Sequence, residues 1–201
     1  MTRIKICGLS RPQDVVYVNR ARPDWCGFVV NFPKSRRNVT PDQVRALRER
    51  LASAVIPVGV FVDRPVEEVA GLLNDGTIAV AQLHGHEDEA YVSTLRALVP
   101  GKEIWRAFQV HELGDLERTT TFPADRILLD SGQGTGRIFD WSLLKNFPRP
   151  YVLAGGLNPE NLSAAIRALH PYGVDLSSGV ETDVLKDFTK IQAAVAAARE
   201  E

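Results

Sequence analysis

Arg3-Ile4-Lys5-Ile6-Cys7-Gly8-Leu9 is the stretch on which the reading of the fold turns. It is a short run with strand-like alternation, and behind it stands a single glycine. A doubly wound nucleotide-binding sheet usually carries a glycine-rich turn after its first strand. A lone Gly8 does not supply one.

Seven further strand-like runs follow: Gly27–Val30, Val58–Val62, Ile78–Leu83, Ile104–Phe108, Ile127–Leu129, Tyr151–Ala154 and Val174–Leu176. Most are separated by amphipathic helical patterns, clearest in 41–51, 65–73 and 158–169, with apolar residues at i, i+3 and i+4. Thr40-Pro41 and Asn158-Pro159 each read as an N-cap followed by proline at the first helical position. The stretches His111–Pro123 and Asp140–Asn146 hold only short helical patterns. Eight repeated βα units predict a parallel sheet, and their number favours closure into an α/β fold of the (β/α)8 TIM-barrel type over an open sheet of five or six strands. A chain of 201 residues suits one such domain, spanning 1–201.

Composition narrows the function classes. Apolar residues at 44% and charged residues at 24% are those of an ordinary globular chain. A net charge of −1 gives no electrostatic case for nucleic acid or an anionic membrane as partner, so any bound anion must be held by local geometry. The most apolar stretch, 54–62, is interrupted by Pro57 and Gly59 and is too short to span a bilayer. The first residues have no secretory h-region, and a cytoplasmic location is expected. In a reducing compartment Cys7 and Cys26 are not expected to pair, and the four histidines show no zinc spacing. A metal site is not expected. Monomer and homodimer are not distinguished.

Barrel enzymes carry their chemistry where strands end. The ends here read Cys7, Asn31, Asp63, Gln82 with His84, Asp130, Gly155-Gly156, and Asp175 with Ser177 and Ser178. Strand parity puts Ile4 and Ile6 on one face and Lys5 and Cys7 on the other. It likewise separates Ile127 and Leu129 from Leu128 and Asp130, so that Cys7 and Asp130 could face each other across the barrel mouth. Each residue also has a plainer reading: Cys7 as a small buried hydrophobe, Asp130 as a turn aspartate, His84 as a structural histidine. Cys26, placed before the second run and away from the strand ends, reads as structural. The turns "AGGLNPENL" and "LSSGVE" bring Gly155, Gly156, Ser178 and Gly179 to the ends of the last two strands, where barrels often bind phosphate through backbone N–H groups. "GQGTG" at 132–136 lacks a Walker lysine and reads as a loop that could close over a ligand or simply as surface. The loop "NFPKSRRNV" offers Lys34, Arg36 and Arg37 for a carboxylate.

Taken together, "KICGL", "GFVVNFPKSRRNV", "PVGVFVD", "QLHG", "ILLDSGQGTGRIFDW", "LAGGLNPENL" and "GVDLSSGVE" resemble, in order and over nearly the whole chain, the phosphoribosylanthranilate isomerases of tryptophan biosynthesis. The resemblance implies a cofactor-free Amadori rearrangement of a small phosphorylated substrate. It implies Cys7 as general base, a protonated Asp130 as general acid, Arg37 on the anthranilate carboxylate, and Gly155, Gly156, Ser178 and Gly179 on the phosphate, with His84 and Asp175 as secondary candidates. The chain departs from the family pattern in "SRR", where a proline commonly stands before the arginine, so that Arg37 rather than Arg36 is taken by alignment with Asn38-Val39, at Asn31, where an aromatic is common, at His86, where an acid is usual, and in "VLKD", which lacks a common glycine. Three competing readings fit less well. A histidine-pathway ProFAR isomerase would be expected to show aspartates ending strands 1 and 5, and indole-glycerol-phosphate synthase lysines at strand ends. A silent phosphate-binding barrel would have lost Cys7 or Asp130.

Overall fold

The computed structural model describes residues 1–112, 114–130, 141–145 and 147–200. The expected "GQGTG" loop lies outside them. Eight strands run parallel: β1 Arg3–Cys7, β2 Trp25–Val30, β3 Ile56–Phe61, β4 Val80–Leu83, β5 Glu103–Gln109, β6 Arg126–Asp130, β7 Tyr151–Ala154 and β8 Gly173–Leu176. Each pairs with the next, and β1 pairs with both β2 and β8, so the sheet closes into a barrel. All eight strand-like runs are strands, and most gain a residue or two at an end. One placement is corrected: Cys26 lies inside β2, not before it, because the ladder to β3 begins at Trp25. A two-residue strand, Asn38–Val39, extends β2 on the loop side.

Two apolar layers follow from strand parity. Outward residues such as Ile4, Ile6, Cys26, Phe28, Ile127 and Leu129 form the layer between sheet and helices. Inward residues Trp25, Val58, Val80, Trp105, Leu128 and Val152 fill the barrel. Trp25 and Trp105 meet edge to face at 5.1 Å, and the guanidinium groups of Arg3 and Arg126 cover Tyr172 at 5.3 and 3.8 Å. The N-terminal end of the barrel is thereby plugged, and the polar inward residues are left to the other end.

The described helices are α1 Pro12–Ala21, α2 Pro41–Arg48, α3 Val66–Asn74, α4 Glu89–Leu98, α5 Gly114–Thr120, α6 Leu162–Leu169 and α7 Phe188–Glu200, with a 3₁₀ turn at Trp141–Leu144. Thr40 caps α2 as expected, its hydroxyl accepting from Gln43 N while the Gln43 side chain accepts from Thr40 N. The start expected at Asn158-Pro159 is corrected. The Asn158 carboxamide accepts from Glu160 N and Asn161 N, which stabilises a separate turn, and α6 begins only at Leu162. The helix ring closes where Phe188 of α7 packs on Tyr17 of α1 at 5.6 Å.

Candidate active site

At the C-terminal end of the strands a cavity of about 330 Å³ is lined by Cys7, Arg37, Gln82, His84, Gln109, Asp130, Gly155, Gly156, Asp175, Ser177 and Ser178, among others. Strand register explains much of this gathering. Gln109, Asp130, Ala154, Asp175 and Lys5 are successive partners from β5 through β8 to β1. They form one continuous row across these strands, which descends from the mouth at Gln109 to Lys5 beneath Cys7, as strand stagger in a closed barrel requires.

Cys7 is the last residue of β1 and faces inward, with Lys5 two residues below it on the same face. Lys5 is fully buried, and its ammonium donates to Asp175 Oδ2 at 2.8 Å. Burial alone would lower the Lys5 pKa, but the charges of Asp175 and Cys7 outweigh it and raise it above the ordinary lysine value. The Cys7 thiol is pushed above its ordinary range, chiefly by burial, with Asp175 adding and Lys5 and Lys186 opposing. Cys26, by contrast, packs in the outer layer, and burial pushes it up to about 12. Both cysteines are free thiols.

Asp130 ends β6 and lines the same cavity as Cys7. His84, on the turn after β4, brings Nε2 to 3.6 Å from Asp130 Oδ2. Burial lowers the His84 pKa, the charge of Asp130 opposing, so near neutral pH the imidazole is uncharged. The turn carrying it is tied down by a residue that sequence reasoning missed. Arg106, outward-facing on β5, donates to Leu83 O at 3.1 Å, Gly85 O at 2.8 Å and Glu87 O at 3.0 Å.

Arg37 reaches the cavity over the end of β1. Gly8 permits this twice, through a left-handed φ of 81° and through its missing side chain: a methyl group there would sit 2.2 Å from Arg37 Cδ. The guanidinium is gripped by Glu181, with Nε donating to Oε1 at 2.7 Å and Nη2 to Oε2 at 2.8 Å. Arg36 Nη2 donates to Oε2 at 2.6 Å and Lys186 Nζ to Oε1 at 2.7 Å. Burial pushes the Glu181 carboxyl up, but the bonds from Arg37 and Lys186 outweigh it and bring it down to about 2. Only Arg37 of the two arginines lines the cavity, and its Nη1 is not used by Glu181.

Gly155 and Gly156 both have left-handed φ, at 91° and 64°, which favours glycine. The turn they form is braced by Asn161 Nδ2 donating to Gly156 O at 2.9 Å. Ser178 stands opposite on the loop after β8. Gly179, expected beside the phosphate, does not line the cavity. It serves the site by close approach: a Cβ there would lie 1.9 Å from the carbonyl oxygen of Leu157, so glycine lets the two loops meet.

Two strand-end residues face away from the cavity. The backbone at Asn31 and Asp63 turns left-handed, with φ of 50° at each, and this carries the side chains to Glu68 and to His86. Asp175 and Gln82 stay in the site. Asp175 Oδ1 and Gln82 Oε1 are buried acceptors with no hydrogen-bond donor among the described residues. Among the described residues no group of His, Cys, Asp and Glu is arranged to hold a metal, and no helix is long and apolar enough to cross a membrane.

The family model for N-(5′-phosphoribosyl)anthranilate isomerase matches residues 4–197. A curated relative of that name from Endomicrobium trichonymphae is 42% identical, over 95% of this chain and 95% of its own. The crystal structure of the Thermotoga maritima phosphoribosylanthranilate isomerase superposes with a TM-score of 0.89 at 33% identity, over the whole of both chains. Another phosphoribosylanthranilate isomerase structure, in complex with reduced 1-(o-carboxyphenylamino)-1-deoxyribulose 5-phosphate, gives 0.87 at 33% identity with the same coverage.

Proposed function

The chain belongs to the N-(5′-phosphoribosyl)anthranilate isomerase family, and from that premise we propose that it performs the family's rearrangement with Cys7 as general base and Asp130 as general acid. It is an isomerase of tryptophan biosynthesis that converts N-(5-phosphoribosyl)anthranilate to 1-(2-carboxyphenylamino)-1-deoxyribulose 5-phosphate. The observation that best supports the residue roles is the single cavity shared by Cys7, Asp130, Arg37 and the Gly155-Gly156 turn.

As general acid, Asp130 delivers a proton to the ribose ring oxygen as the C1′–O bond breaks, leaving an iminium between C1′ and the anthranilate nitrogen. The iminium acidifies the C2′ proton. Cys7, as thiolate, takes that proton, and the electron pair moves through C1′ to nitrogen to form an enolamine. The enolamine gains a proton at C1′ and loses one from O2′, giving the ketone, so the atoms balance as an isomerisation. Proton transfers account for every step.

The surrounding residues bind. Arg37 Nη1 takes the anthranilate carboxylate while Glu181 fixes the rest of the fork. Backbone N–H groups at Gly155, Gly156 and Ser178 take the phosphate, and Gly179 keeps those loops together. The donor-less Asp175 Oδ1 and Gln82 Oε1 suit hydroxyl groups of the sugar. His84 sits beside Asp130 as an uncharged neighbour. We place the reaction in the cytoplasm, where a reducing milieu keeps Cys7 a thiol, and treat residues 1–201 as one catalytic domain.

The test is to generate phosphoribosylanthranilate in situ and follow its fluorescence. Its decay should accelerate in proportion to added protein. No acceleration at micromolar protein refutes the activity.

A further inference from the structure

A fully buried lysine calls for a reason. Lys5 is 0% exposed and pairs with Asp175, yet buried ion pairs add little net stability, since well-packed apolar residues of similar volume often do as well. This pair is also imperfect as a structural device, because Asp175 Oδ1 is left without a donor among the described residues. Lys5 does not line the cavity, whereas Cys7 and Asp175 do, so it does not touch a ligand there. What it does touch is the wall beneath the thiol. A Cβ placed on Gly27 would lie 2.7 Å from Cys7 Sγ and 3.0 Å from both Cε and Nζ of Lys5. Sulfur and ammonium therefore share one glycine-sized space, within about 6 Å of each other, close enough for an opposite charge to favour a thiolate.

We propose that Lys5 is a positioning residue for the isomerisation: its ammonium, anchored by Asp175 and seated with the Cys7 sulfur against Gly27, is the counter-charge against which Cys7 ionises. The other charged or titratable groups around Cys7 are Asp175 from β8, Lys186 from the segment after it, Arg37 from the loop after β2, Cys26 within β2, and His84 and Asp130 across the mouth. Lys186 and Arg37 are both committed to Glu181, and Lys5 exerts the largest opposing charge on the thiol. This rests on Cys7 being the general base, and it adds what makes that base available.

The test reads the thiol directly. In a Cys26→Ala background, so that Cys7 is the one alkylatable group, the rate of reaction with iodoacetamide is measured against pH. Lys5→Met should move the midpoint up by at least one pH unit and lower kcat at neutral pH tenfold or more, with KM changed less than about threefold. Lys5→Arg, which keeps the cation, should hold the midpoint near that of the parent. An unmoved midpoint in folded Lys5→Met, or an equal shift in Lys5→Arg, overturns the inference. Should Lys5→Met not fold, Lys5→Gln, with a donor left for Asp175, is read the same way. A chain that folds with neither neutral residue assigns Lys5 to the fold instead. The underlying reading fails separately: wild-type turnover in Cys7→Ser removes Cys7 as base whatever the alkylation profile shows.

Discussion

Arg36 and Arg37 are neighbours on one loop and both bond to Glu181, but only Arg37 reaches the cavity. Arg37→Ala should therefore raise KM by ten- to a hundredfold, the loss of one charge-assisted hydrogen bond of about 1.5–3 kcal/mol, with kcat nearly kept. Arg36→Ala should change KM less than threefold. Steady-state kinetics of the two variants decide between them, and the reverse pattern would move the carboxylate site by one residue. Gly8→Ala should impair the same step by another route, since it forces φ of 81° on a non-glycine residue and drives a methyl group into Arg37. A thermal midpoint lowered by the equivalent of about 1–2 kcal/mol, together with a raised KM, is expected. The sequence shows Arg37 and Gly8 but not that one makes room for the other. Glu181 went unnoticed for the same reason: its role lies in a contact with a loop about 140 residues away in the chain, and Lys186 joins that contact through Glu181.

At the scale of elements, strands were the most legible. Parity alone put Lys5 with Cys7 and Leu128 with Asp130 on the inward faces, and the two apolar layers bear this out. Lys5 was thus visible on the right face of β1 without its purpose being visible. Helix starts were less legible, because one signature had two outcomes. Thr40-Pro41 opens α2 directly, whereas Asn158-Pro159 opens a turn braced by the Asn158 side chain, and α6 follows three residues later. That turn belongs to the loops proposed to take the phosphate, whose meeting depends on Gly179. Gly179→Ala should destabilise the protein by about 1–3 kcal/mol, since the atom in the way is a backbone oxygen and cannot swing aside. Inorganic phosphate should also bind more weakly. Urea unfolding with and without phosphate measures both effects, and an unchanged midpoint would show that the loops can part at no cost.

For the whole molecule, the Glu181 cluster ties the loop after β2 to the segment after β8 across the barrel seam. Its folded carboxyl pKa, about 2, lies below the unfolded value near 4.5. The unfolded chain therefore binds the proton first as pH falls. The stabilisation is fully present above about pH 4.5 and is lost as pH drops through 2. Glu181→Gln should remove about 2 kcal/mol of the acid-dependent part of the unfolding free energy, measured by urea titration between pH 5 and 2.5. A parallel pH slope in variant and wild type would contradict this. Barrel closure, the inward ring and the placing of Cys7 and Asp130 on one cavity were readable in outline from the repeat of βα units and from where each run stops. The ion-pair wiring that sets protonation within that ring was not, because it depends on register between strands far apart in sequence. The central claim is that Cys7 and Asp130 act as base and acid on one bound substrate, and kcat for phosphoribosylanthranilate in Cys7→Ser and Asp130→Asn tests it most directly. Each should fall by about 10²–10⁴ while a product analogue binds within threefold of wild type. Turnover near the wild-type rate in either variant would contradict the account.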